Sequence, residues 1–162
     1  HYEGYGPHGV AILVECLTDN KNRTSSDIKA AFNKNNGSTG TPGSVNYLFN
    51  RKAIFQFEES SEDLIDLAID NNCIELNENN NILNLEFNSS DFKKMDQLFK
   101  NNNFIPSISE IAYIPESSVF LDSKMFKEVS KLIEALEDLD DVQNVYSNFD
   151  IDDKLLDTAL TL

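Results

Sequence analysis

The chain of 162 residues contains no tryptophan, and it holds only two cysteines and two histidines. Two cysteines are too few for a disulfide-rich scaffold, and we predict that Cys16 and Cys73 are both reduced and buried. The histidines, His1 and His8, do not stand in a His/Cys spacing typical of a zinc site. We therefore expect no metal site and no cofactor.

Long apolar runs and signs of secretion are also absent. No apolar stretch approaches the roughly 20 residues of a membrane span, and the first residues lack a charged segment followed by an apolar one. No serine has an evident histidine partner except by way of His8, so a hydrolase triad is not indicated. The acidic run from Glu134 to Asp141 lacks the ligand spacing and glycine of a calcium loop. We therefore expect a protein that is not an enzyme, takes no small-molecule substrate and does not contact a membrane.

All six glycines fall before residue 44. Three of them form the pattern Gly4-x-Gly6-x-x-Gly9, which matches a dinucleotide-binding fingerprint but precedes a strand and does not join a strand to a helix. We interpret these glycines as a tight backbone path that lets Tyr2 and Tyr5 pack on a neighbouring surface. The alternative is an exposed contact site for RNA or protein at Tyr5 and Pro7.

The net charge of -15 disfavours binding to a polyanion, but the charge is uneven. Residues 1–57 carry six basic and four acidic side chains, a net charge of +2, whereas the remainder carries seven basic and 24 acidic side chains, a net charge of -17. A polyanion would therefore have to meet the first third of the chain.

The apolar patterns predict an α+β protein. An apolar run at 10–17 reads as a buried strand, Thr24 with Asp27 fits a capping box that starts a helix, and Lys21 and Arg23 stand just ahead of that cap. Segments 45–49 and 53–57 read as a hairpin turned at Asn50-Arg51-Lys52.

The order of predicted elements suits two ferredoxin-like α/β sandwich domains with antiparallel sheets, one inserted in the other. We expect an outer domain at 1–57 plus 117–150, an inserted α+β domain at 58–116, and a C-terminal tail at 151–162. The asparagine tracts sit at element ends and look like loop padding.

In such a sheet the first loop and the first hairpin share an edge. The four basic side chains that would converge there, beside a helix N-terminus, are Lys21, Arg23, Arg51 and Lys52. These residues are the predicted contacts for nucleic acid or the ribosome. Acidic residues at 137–141 reach the same edge, and mutual neutralisation in exposed ion pairs stays open as the alternative.

Three blocks of sequence resemble the YebC-like (YebC/PmpR) family. They are Tyr2-Glu3-Gly4-Tyr5-Gly6-Pro7 with the segment 17–24, then Gly43-Ser44-Val45 with Phe49, Arg51 and Lys52, then the segment 133–146. The chain departs from the family at His8 and Asn36, where the family usually has glycine. The resemblance implies the second and third domains only, preceded in full-length members by a lysine-rich helical domain.

Members of that family are called transcriptional regulators in bacteria and translational activators in mitochondria. The resemblance therefore implies a non-enzymatic regulator that contacts DNA, RNA or the ribosome, mainly through the basic domain that precedes this part. It implies a cytoplasmic protein, or a mitochondrial or organellar one if a transit peptide precedes it. Two other hypotheses stay open: an acidic scaffold that docks a basic protein, and a small-ligand sensor, which rests on fold analogy alone.

Overall fold

A computed structural model describes residues 1–151, so most of the predicted tail at 151–162 lies outside the described residues. The described residues divide into two compact units: unit 1 comprises His1–Asn50 and residues 115–151, and unit 2 comprises Arg51–Ile114. Both are mixed α/β units with antiparallel four-stranded sheets, as predicted. None of the described helices is both long and apolar enough to cross a membrane.

Among the described residues, unit 1 contains a four-stranded sheet, two α-helices and a two-stranded parallel ribbon. Its strands are β1 (Tyr2–Tyr5), β2 (Ala11–Cys16), β3 (Ser38–Thr39), β8 (Val119–Phe120), β9 (Val142–Ser147) and β10 (Phe149–Asp150), and its helices are α1 (Lys21–Lys34) and α4 (Ser123–Glu137). The strand order in the sheet is β3-β1-β2-β9, and β8 pairs with β10. The buried core comprises Val10, Ile12, Val14, Ile28, Ala31, Phe32, Leu121, Val129, Leu132 and Leu136.

The first residues form a central strand of this sheet, which the sequence did not predict. Strand β1 pairs with β2 from Tyr2↔Val14 to Tyr5↔Ala11, and its other side pairs with β3. Gly4 allows this because a Cβ there would lie 2.6 Å from the backbone oxygen of Ser38 and 2.7 Å from the ring of Phe32. The glycines therefore let a helix and a neighbouring strand approach β1 closely.

Unit 2 is built on a second sheet with the strand order β5-β6-β4-β7. Its elements are β4 (Phe49–Phe57), α2 (Glu62–Asp70), β5 (Glu75–Asn79), β6 (Ile82–Asn88), α3 (Phe92–Asn101) and β7 (Ile108–Pro115). This is the β-α-β-β-α-β order of a ferredoxin-like unit. Aromatic rings fill its core: Phe55 lies 5.1 Å from Phe99 and 5.9 Å from Phe87, measured between ring centroids.

The predicted hairpin at 45–49 and 53–57 is wrong. Phe49–Phe57 is one continuous strand, and it pairs with β6 from Lys52↔Asn88 to Phe57↔Leu83. Phe49, Ala53, Phe55 and Phe57 are buried at period 2, so the polar residues at 50–52 continue an extended strand, and no glycine or proline interrupts them. The strand therefore belongs to the sheet of unit 2, ahead of the predicted boundary at residue 58.

Asparagine occupies five of the left-handed positions among the described residues. Asn36, Asn72 and Asn103 follow the last turns of α1, α2 and α3 with φ between 61° and 64°, and Asn80 and Asn81 turn the β5–β6 hairpin with φ of 51° and 68°. After each helix the next amide bonds back to the helix, as in Cys73 N to Ala68 O at 3.2 Å. The asparagine tracts are thus helix caps and a tight turn.

Replacing Asn72 with alanine should destabilise unit 2 by about 1 kcal/mol, because a residue with a plain Cβ is strained at φ 64°. Asn72→Gly should cause no loss, since glycine adopts this conformation freely. Urea denaturation of both variants measures the difference, with Asn22→Ala in α1 as a control at ordinary φ. Equal stabilities for Asn72→Ala and Asn72→Gly would contradict the assigned cap.

Candidate nucleic-acid interface

Lys21 and Arg23 lie in the first turn of α1, whereas the sequence placed them ahead of the helix. Asn20 is the actual cap, and its side-chain oxygen accepts the Arg23 amide at 3.1 Å. Thr24, the predicted cap, is buried inside the helix, and its hydroxyl donates to Asp141 Oδ2 at 2.7 Å. Lys21 is exposed.

Arg23 is paired with acidic side chains. Its guanidinium lies 3.0 Å from Asp141 Oδ2 and 3.2 Å from Asp19 Oδ1. Hydrogen bonds from Thr24 and then from Arg23 lower the pKa of the Asp141 carboxyl, and the same contact with Asp141, together with Asp19, raises the pKa of Arg23. For Arg23 the structure therefore supports the alternative of neutralisation by its own chain.

The surface around Arg23 is acidic as well. A depression beside it is lined by Asp27, Asp138, Leu139, Asp140 and Asp141. A backbone hydrogen bond joins the residue after β2 to the residue before β9 here, because the Leu17 amide donates to the Asp141 carbonyl at 2.9 Å. Since these carboxylates would repel a phosphate, this loop is a poor place for nucleic acid.

Arg51 and Lys52 lie next to each other on β4, in the sheet of unit 2. Arg51 is exposed and Lys52 is half-buried. Within residues 1–151 no salt bridge involves either of them, nor does one involve Lys21. Burial and Glu75, which faces it on β5, raise the pKa of the Glu86 carboxyl, and the charge of Lys52 opposes that rise.

The four predicted contact residues are therefore not brought to one edge of one sheet. Two of them lie in α1 of unit 1 and two lie in a strand of the second sheet. The predicted convergence depended on a hairpin that does not form, so that geometric argument is corrected. Their role in binding stays a prediction, and within residues 1–151 no salt bridge involves Lys21, Arg51 or Lys52.

The predicted surface contact at Tyr5 and Pro7 is also corrected. Pro7 is buried at the start of a short helical turn, Pro7–Gly9. Tyr5 is half-buried in β1, and its hydroxyl donates to the Ser44 carbonyl at 3.3 Å. Pro7 is therefore not available to a partner, and the hydroxyl of Tyr5 forms its hydrogen bond within unit 1.

Sequence reasoning missed a carboxylate that organises the loop after β3. Glu3 is 8% exposed, and its two oxygens accept the amides of Gly43 at 2.6 Å, Val45 at 2.9 Å and Asn46 at 2.6 Å. Burial alone would raise the pKa of Glu3, but these three hydrogen bonds lower it. The Glu-Gly-Tyr block thus contains a carboxylate that anchors the loop at 43–46. The sequence did not reveal this role because the amides that Glu3 binds lie 40 to 43 residues away along the chain.

The geometry of these residues does not identify a protein family, but comparison with known proteins does. A family model described as the TACO1/YebC second and third domain matches residues 1–149. The chain belongs to the TACO1/YebC family. The resemblance noted in the sequence is therefore confirmed.

Several bacterial relatives are similar over nearly the whole chain. A probable transcriptional regulatory protein of Streptomyces avermitilis is 38% identical over 159 residues, which are 96% of this chain and 64% of the relative. One of Borreliella afzelii is 42% identical over 157 residues, which are 95% of this chain and 64% of that relative. The chain thus spans about two thirds of the length of these relatives.

A solved structure shows the same fold. The crystal structure of a conserved hypothetical protein, Aq1575 from Aquifex aeolicus, matches with a TM-score of 0.84 and 34% identity, over 96% of this chain and 65% of that one. The backbone also explains why the family usually has glycine at two positions where this chain does not, since His8 has φ 63° and Asn36 has φ 61°. Both positions need the left-handed conformation that glycine adopts most easily.

Proposed function

We propose that this protein is a non-enzymatic regulator of gene expression that contacts nucleic acid or the ribosome. The observation that carries the proposal is the family match over residues 1–149, which covers both units and includes relatives named probable transcriptional regulatory proteins. No catalytic group, cofactor, small-molecule substrate or membrane surface forms part of the proposed function.

The contact we propose uses Arg51 and Lys52, with Lys21 as a further point of positive charge. Arg51 is exposed, and neither Arg51 nor Lys52 takes part in a salt bridge within residues 1–151. Arg23 is assigned a structural role through Asp141. Because the net charge is -15, binding through these few cations is expected to be weak and to fall steeply with salt.

Neutralising Arg51 and Lys52 together tests this contact. Binding of Arg51→Gln/Lys52→Gln to single-stranded RNA, duplex DNA and ribosomes should weaken by about thirtyfold at low salt, since two phosphate contacts of on the order of 1 kcal/mol each are lost. The measurement is fluorescence anisotropy for RNA and DNA, and co-sedimentation for ribosomes. The target whose binding falls is the one that the surface contacts.

The matched control is Lys29→Gln/Lys34→Gln, which removes the same charge from exposed positions of α1. A long-range effect of net charge would weaken binding equally in both double variants. Equal loss in both, or unchanged binding with lowered thermal stability in the Arg51/Lys52 variant, would contradict the proposed contact.

A second candidate function is an acidic scaffold that docks a basic protein. It is favoured by the charge of unit 2, whose 12 acidic and five basic side chains give a net charge of -7. In this case Arg51 and Lys52 would be structural, and association with a basic protein would survive their neutralisation. Both functions would be carried out in a compartment that contains nucleic acid and ribosomes. The bacterial relatives favour the cytoplasm over an organelle as that compartment.

A further inference from the structure

A cavity of about 450 Å³ opens on the surface of unit 2, at the other end of β4 from Arg51 and Lys52. It lies between the end of β4, the first turn of α2 and the loop that precedes β7. Its lining residues are Phe57, Glu58, Glu59, Ser60, Ser61, Leu64, Asn103, Phe104 and Ile105. The volume falls in the range of sites that accommodate a ligand group or a large side chain.

The floor of this cavity is apolar and continuous with the core. Phe57 is 3% exposed and Leu64 is 1% exposed, while Phe104 is half-buried and packs against the same core. Ile105 stands at the rim with 72% of its surface exposed, although it is a large aliphatic residue. A ligand that covers Ile105 and enters the cavity would remove this apolar surface from water.

The polar part of the cavity carries negative charge only. Glu58 and Glu59 are exposed, and within residues 1–151 neither forms a salt bridge. The sequence contains no lysine, arginine or histidine from residue 53 to residue 92. An ammonium or guanidinium group would therefore meet unpaired carboxylates and no competing cation of this segment.

An anion is disfavoured here, even though a helix begins at the cavity. Ser61 already caps α2, because its hydroxyl oxygen accepts the Leu64 amide at 3.2 Å. Glu62 and Asp63 occupy the first turn, where their charge offsets the positive end of the helix dipole. The site thus selects for positive charge.

We propose that this cavity binds a lysine side chain presented by a basic segment of a partner protein. The alkyl stem packs on Phe57, Leu64 and Phe104, and the ammonium lies at the rim between Glu58 and Glu59. A lysine suits such a site because its long apolar stem can be buried while its charged end stays at the surface. This docking site is distinct from the phosphate contact proposed at Arg51 and Lys52.

Titration of the 15N-labelled 162-residue chain with the capped pentapeptide Ala-Leu-Lys-Leu-Ala tests the proposal by NMR. The largest chemical-shift changes should occur at the amides of Glu58–Ser61 and Asn103–Ile105. Glu58→Gln/Glu59→Gln should raise the peptide Kd by about fivefold to tenfold, since two exposed ion pairs are lost. Ile105→Ser should also raise it, because apolar contact at the rim is removed.

Two controls keep the result specific. Asp138→Asn/Asp140→Asn removes the same charge from exposed positions in unit 1 and should leave the Kd unchanged. A peptide with Nε-acetyl-lysine should bind at least fivefold more weakly than the lysine peptide. Shift changes elsewhere, equal Kd values for the two double variants, equal binding of both peptides, or no binding at millimolar peptide would overturn the proposal. None of these outcomes affects the test of Arg51 and Lys52.

Discussion

Replacing Glu3 with alanine is expected to destabilise unit 1 by about 2–4 kcal/mol at pH 7. The variant leaves the amides of Gly43, Val45 and Asn46 without their acceptor, and the Val45 site is buried. Hydrogen bonds to a charged group contribute roughly 1.5–3 kcal/mol, and a buried donor without a partner adds a desolvation penalty. Urea denaturation followed by circular dichroism measures the loss.

The effect of Glu3 should depend on pH in a defined direction. Its pKa is lowered in the folded protein, so its contribution is fully present above the ordinary value of 4.5 and is lost as the pH falls through the folded value. The difference between wild type and Glu3→Gln should therefore shrink from pH 7 to pH 3. Glu134→Gln, an exposed change in α4, should have little effect at either pH. A Glu3→Gln variant as stable as wild type at pH 7 would contradict the anchor.

Replacing Gly4 with alanine is expected to destabilise unit 1 by about 3 kcal/mol. The new Cβ would lie 2.6 Å from the Ser38 carbonyl oxygen and 2.7 Å from Phe32 Cε1, so both β3 and the fully buried ring would have to move. Overpacking of a core typically costs about 1–3 kcal/mol, and contact with backbone places this site at the upper end. Thermal or urea unfolding provides the measurement.

The coupling of Gly4 to Phe32 can be tested with a double variant. Phe32→Leu removes part of the ring that the Cβ would meet, so Gly4→Ala should cost less in the Phe32→Leu background than in wild type. It should still cost more than 1 kcal/mol, because the Ser38 oxygen remains in place. A Gly4→Ala protein with wild-type stability would show that β1 does not lie this close to α1.

Short-range patterns in the sequence predict many of the elements. The apolar run at 10–17 is found as β2, and the predicted helix follows it as α1. These predictions succeed because they depend on residues two to four positions apart. Fold class follows from the same patterns, since sheet faces and helix faces of this kind must be buried against each other.

The errors arise where distant partners decide the conformation. Residues 50–52 look like a turn because they are polar, but they lie in one continuous strand, and its pairing with β6, over 30 residues away, begins at Lys52. The first residues were not predicted as a strand, and they form β1 because β2 and β3 pair with them on both sides. Asparagines at left-handed positions carry a turn signal that glycine would have made plainer.

The candidate site was predictable only in its residue types. Lysine and arginine in the first third of the chain are visible in the sequence, but the contact between Arg23 and Asp141 joins residues 118 positions apart. The same holds for Glu3 and the loop at 43–46. The charge that is left for a partner therefore depends on tertiary contacts, which pair Arg23 with Asp141.

The salt dependence of RNA binding tests the proposed phosphate contact most directly. For wild type, the logarithm of the association constant should fall linearly with the logarithm of salt concentration, and the slope reports how many phosphates are neutralised. Arg51→Gln/Lys52→Gln should reduce that slope by about 1.4 for single-stranded RNA, roughly 0.7 per contact, whereas Lys29→Gln/Lys34→Gln should leave it unchanged. A slope that is the same in wild type and in the Arg51/Lys52 variant would contradict the account.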